Sequence, residues 1–134
     1  MIGTCYRAPK NSNLTECLGN TVTRLQADYH TVILGDFNYC RIKNKNNKMT
    51  KVLDTNGFTQ LIDTPTRVTN NSSSLIDHIY TNDTRKISQS GVLESGINDH
   101  FITYCTRKIV RGQIAGMPRK GPVKPVKLKH RFYR

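Results

Sequence analysis

The sequence of 134 residues predicts a layered α/β fold. Strand-like and helix-period segments alternate through the first half of the chain, and strand-like segments dominate the second. The continuous apolar run Thr31-Val32-Ile33-Leu34-Gly35 adds a third sign. It has the composition of a strand buried on both faces, as the centre of such a fold requires.

The elements follow in order. Met1–Tyr6 has strand composition, and Pro9 ends it. Leu14, Leu18, Val22 and Leu25 recur at helical spacing, which predicts a helix over 14–28 capped by Asn13 or Thr15. After the apolar run, Arg41–Lys48 reads as a polar, basic loop. A short helix is expected near 49–56, with Gly57 as its stop. Phe58–Ile62 reads as extended, while Pro65 and the Asn70–Ser74 cluster read as turns. Leu75–Tyr80 and His100–Thr106 are predicted strands, with a short extended piece at Gly91–Glu94. No element is expected beyond residue 111.

Charge divides the chain. Residues 1–105 hold 11 Lys/Arg against 9 Asp/Glu, a net of +2, whereas residues 106–134 hold 10 Lys/Arg and no acid. Such a tail suits either a polyanionic partner such as nucleic acid or the role of a solvated linker. Cys5, Cys17, Cys40 and Cys105 form no C-x-x-C pair, and three of them sit in or beside apolar runs, so buried reduced thiols are expected. Asn-x-Ser/Thr matches at Asn13, Asn70 and Asn82 read as chance, because no leader peptide precedes them. No apolar run approaches the roughly 18 residues of a membrane span. The expectation is a chain without a membrane partner, intracellular, in the nucleus or cytoplasm.

Three acidic motifs carry the chemistry. In Gly35-Asp36-Phe37-Asn38 a carboxylate and a carboxamide stand two residues apart at the end of the apolar strand. An Asp there can orient or deprotonate water, and an Asn can donate to a phosphate oxygen; an Asx turn closing a strand explains the same residues. Asp77 lies among Leu75, Ile76, Ile79 and Tyr80, where an ionised carboxylate is costly unless paired. His100 is the natural partner, and His78, on the opposite face, reads as structural. In Asn98-Asp99-His100 the acid suits a hard cation such as Mg²⁺.

In this order the motifs resemble the endonuclease/exonuclease/phosphatase superfamily, the fold of apurinic endonucleases and pancreatic-type DNases. Within it the sequence is most similar to the endonuclease domain of non-LTR retrotransposons. The residues concerned are Cys5–Pro9, the strand ending in Gly35–Asn38, Gly57–Arg67, Ser74–Thr81 and Ser95–His100. The resemblance implies the C-terminal half of a four-layered α/β sandwich over residues 1–109, with a disordered basic tail over 110–134. It implies that Tyr6 contacts the scissile phosphate, Asp36 activates water and Asn38 positions it. It further implies that Asp77 orients His100 against the phosphoryl oxygen and that Asp99 ligates Mg²⁺, with Mn²⁺ a substitute. Asn11 follows Tyr6 at a spacing different from the family's asparagine and receives no role.

The activity implied is metal-dependent hydrolysis of DNA phosphodiesters, as part of a polyprotein with a reverse transcriptase downstream. The family's metal-binding Glu precedes the Tyr segment, while Glu16 and Glu94 fall elsewhere. The expectation is therefore an incomplete metal site and little activity from this chain alone. Two other readings stay open. One is a non-catalytic nucleic-acid-binding fragment using its basic tail. The other is a phosphatase of the same superfamily.

Overall fold

A computed structural model describes residues 1–9, 13–25, 29–45, 47–96 and 98–108. Asn11, the last turn expected of the first helix and the tail 110–134 lie outside the described residues. The elements are β1 (Ile2–Tyr6), α1 (Leu14–Leu25), β2 (Val32–Asp36), α2 (Lys48–Thr55), β3 (Thr59–Gln60), β4 (Arg67–Thr69), β5 (Ser72–Ser74), β6 (Asp77–Thr81), β7 (Ile87–Leu93) and β8 (Ile102–Arg107). A 3-10 turn, Thr84–Lys86, leads into β7.

The main sheet has the order β1-β2-β6-β3. β1 pairs parallel with β2, because α1 carries the chain back across the sheet, and the other pairings are antiparallel. Side chains alternate along β2. Ile33 joins a cluster with Leu18 and Val22 of α1, Met49 and Leu53 of α2, and Phe58 and Tyr80. Val32 faces the other way, into a cluster with Ile62, Leu75 and Ile79 that Ile87, Val92 and Cys105 of the β7–β8 hairpin cover. The result is three layers: helices, main sheet, second sheet. Each fully buried large side chain contributes about 1.5–3 kcal/mol. Leu53, Tyr80 and Phe37, all at 0 % exposure, anchor the helix side.

Local chemistry explains the ends. Asn47 caps α2 by accepting from the Met49 N–H at 2.8 Å. Gly57, at φ +72°, takes the left-handed turn that stops it. At Gly35 a Cβ would stand 1.8 Å from the Cys5 carbonyl oxygen, and φ is +149°. Only glycine lets β1 approach β2 there.

The structure departs from the sequence reading in four places. Asn70–Ser74 was expected as turn alone, but Ser72–Ser74 pairs with Arg67–Thr69 in a hairpin. β7 begins at Ile87, well before the extended piece expected at Gly91. Asp77 opens β6 instead of lying mid-strand, with Leu75 and Ile76 ahead of it. The four cysteines are unpaired as expected, yet none is buried: Cys17 is exposed, and Cys5, Cys40 and Cys105 are half-buried.

Candidate active site

The sheet brings three of the expected residues into one row. Tyr6 pairs with Asp36 across β1 and β2, and Asp36 pairs with Asp77 across β2 and β6. Register partners share a face, so the three side chains stand abreast at one end of the sheet, on the side of β7–β8. Tyr6 is 69 % exposed there.

Each acid is held by its neighbours. Asp36 Oδ1 accepts from the Asn38 backbone N–H at 2.8 Å, and Oδ2 from the Asn38 Nδ2 at 3.2 Å. Asn38 sits at φ +45°, a left-handed conformation that asparagine tolerates better than most residues. Its Nδ2 also donates to the Arg7 carbonyl at 2.8 Å, so the carboxamide is engaged with the protein. Arg7 returns the contact: its N–H donates to Asp36 O at 2.9 Å, and its Nη1 donates to Asn38 O at 3.2 Å.

His100 Nδ1 lies 3.1 Å from Asp77 Oδ2 and 3.3 Å from Oδ1. The carboxylate selects the Nδ1–H form, which leaves Nε2 for another group. Thr66, at 0 % exposure, completes the seat. Its hydroxyl donates to Asp77 Oδ2 at 2.7 Å and accepts from the N–H groups of Ile76 and Asp77 at 3.1 and 2.9 Å. Ligand atoms of Asp36, Asp77 and His100 all lie within 4.8 Å of one another, the only such group among the described residues.

Asp99 stands apart from that group. Its Oδ2 accepts from Arg67 Nε at 2.6 Å, and this guanidinium contact holds its carboxyl below the usual carboxylate range against the opposing effect of burial. Sequence reading assigned no role to Arg7, Thr66 or Arg67. The last two belong to the Gly57–Arg67 stretch that carries the resemblance, which was the signal available.

His78 is structural, as expected. It is fully buried and stacked on Phe37 with centroids 4.9 Å apart. Nε2–H donates to the carbonyls of Tyr39 and Leu75 at 3.1 Å each, and the Tyr80 hydroxyl donates to Nδ1 at 3.3 Å. Burial pushes its pKa down to about 4.

Comparison with known proteins places the chain in the endonuclease/exonuclease/phosphatase superfamily. Residues 1–104 match the profile of the endonuclease-reverse transcriptase family, and the chain belongs to that family. In fold it is similar to an endonuclease/exonuclease/phosphatase family protein from Leptotrichia buccalis C-1013-b, with a TM-score of 0.60 and 18 % identity. The similarity covers 78 % of this chain and 46 % of that one, so the chain spans less than half the length of this solved relative. No curated protein matches it. Among the described residues no helix is long and apolar enough to cross a membrane.

Proposed function

We propose that the chain is part of a retrotransposon-type endonuclease that hydrolyses DNA phosphodiesters with Mg²⁺. One observation carries the reading: Tyr6, Asp36 and Asp77 stand abreast on paired strands with His100 bonded to Asp77. Asp36 takes the proton of the attacking water, and Asn38 holds Asp36 in place. The Tyr6 hydroxyl and His100 Nε2 meet the non-bridging phosphoryl oxygens, with Asp77 fixing the imidazole. Water attacks phosphorus in line, and the bond to the leaving oxygen breaks.

The residues fit a divalent ion, since carboxylate oxygens are the hard donors Mg²⁺ prefers. Asp99 is the carboxylate that would hold it, and it stands apart from the Asp36, Asp77 and His100 group. When bound, the ion supplies positive charge for the leaving oxygen. Glu16 and Glu94 are exposed and stand outside the acid cluster, so the 134-residue chain alone should bind Mg²⁺ weakly. Residues 1–109 act as the domain, and the basic residues of 110–134 add sequence-blind phosphate contacts. The family's description supports a nucleic-acid substrate and a reverse transcriptase in the same polyprotein.

The test is nicking of supercoiled plasmid by the longest reading frame containing these residues. Mg²⁺-dependent nicking lost in Asp36→Asn and in His100→Ala is the expected result. Nicking that survives Asp36→Asn, or hydrolysis of phosphomonoesters alone, overturns the reading. The 134-residue chain assayed by itself should nick far more slowly.

A further inference from the structure

We propose that a cleft beside the acid row, between the Arg41–Lys45 loop and the end of β3, binds a guanine base of an unpaired nucleic-acid strand. The cleft has a volume of about 520 Å³, enough for one nucleotide. Its place follows from the sheet. β3 runs antiparallel to β6 with Gln60 beside Tyr80, so the chain beyond Gln60 returns Asp63 towards the Asp77 end. The loop is tied to that same end by the Arg41 N–H, which donates to Leu75 O at 3.1 Å.

The lining pairs apolar walls with groups that lack partners. Ile62 and Leu75, at 2 % and 1 % exposure, form the floor, and Ile42, at 45 %, stands at the rim. Such surfaces suit the flat face of a base. Gln60 Oε1 accepts from the N–H groups of Leu61 and Ile79 at 3.1 and 2.9 Å, which fixes which way round the amide lies. Its Nε2 is then a buried donor with no partner. Asp63 and Lys45 line the same cleft and make no hydrogen bond or ion pair among the described residues.

A donor, a carboxylate and a cation together select a ligand. The Watson–Crick edge of guanine presents two N–H donors, which the Asp63 carboxylate accepts, and O6, which accepts from Gln60 Nε2. Adenine sets its N1 lone pair against the carboxylate instead. Lys45 meets the attached phosphate. The edge is accessible only in an unpaired base, so the ligand is a single-stranded or unstacked nucleotide. The pocket stands on its own geometry, whereas its use in choosing a cleavage target rests on the nuclease reading.

The experiment titrates the full chain with dGMP, dAMP, dCMP and dTMP by calorimetry or NMR. dGMP is expected to bind about tenfold more tightly than the others. Asp63→Asn should erase that preference, as should Gln60→Glu, which keeps Oε1 and turns the free donor into an acceptor. Asp63 is exposed, so its variant keeps the test informative should Gln60→Glu fail to fold. Equal binding of all four, no binding at millimolar concentration, or a preference that survives Asp63→Asn overturns the proposal. A dGMP preference here, with no nicking by the longest reading frame containing these residues, would sink the nuclease reading and leave the pocket standing.

Discussion

Arg67 donates from Nε to Asp99 Oδ2 at 2.6 Å, so the carboxylate expected to hold a metal already holds a guanidinium. Val68 N–H donates to Asp99 O at 2.9 Å, which fastens the two segments at the backbone as well. An arginine and a divalent ion then compete for one oxygen. Arg67→Ala is expected to tighten Mn²⁺ binding about two- to fivefold, the range set by exposed ion pairs. Titration followed by the Mn²⁺ EPR signal measures it. Unchanged affinity would show that the ion never meets Asp99.

Thr66 satisfies three partners with one hydroxyl. Thr66→Val keeps the shape but removes the acceptor of two backbone N–H groups and one of the donors to the Asp77 carboxylate, which keeps its contact with His100. The expected loss is about 2–4 kcal/mol in denaturant unfolding. Thr66→Ser should recover most of it. A valine variant as stable as the parent would refute the seat described for Asp77.

His78 gives the fold an acid limit. Its pKa falls from 6.5 to about 4 on burial, so the unfolded chain takes up the proton first as pH drops. This contribution to stability is complete above pH 6.5 and is lost progressively towards pH 4, by on the order of 3 kcal/mol. Melting temperature against pH should show that slope, and His78→Gln should flatten it while lowering stability at neutral pH.

Gly35→Ala tests the contact between β1 and β2. The added carbon would meet Cys5 backbone atoms, which cannot move without unpairing the strands. A loss of about 3 kcal/mol or more is expected in thermal or denaturant unfolding. Tolerance of alanine there would mean that the two strands do not lie this close.

The sequence made β2 legible because Val32, Ile33 and Leu34 form an apolar run that only a central strand explains. It made Asp77 and His100 candidates because an acid among apolar residues needs a partner, and Asp36 one because it ends the apolar strand two residues before Asn38. The β4–β5 hairpin stayed hidden. Its serines and asparagines have turn composition, and distant bonds shape it, such as Thr66 N–H to Ser74 O at 2.9 Å. Arg67 and Asp99 are 32 residues apart and both partly exposed, so no local pattern could select that pair. The buried state expected of the cysteines failed for a related reason. Apolar neighbours in sequence do not guarantee cover, and Cys5 sits on the outer strand β1.

Parallel pairing of β1 with β2, and antiparallel pairing of β2 with a strand as distant as β6, also set a timetable. Such pairings are non-local and slow to form. Asp36 waits for Asp77, and both wait for His100, several seconds later at the usual synthesis rate of about 5–20 residues per second. A growing chain therefore carries no assembled acid row until nearly all of its described residues have been made.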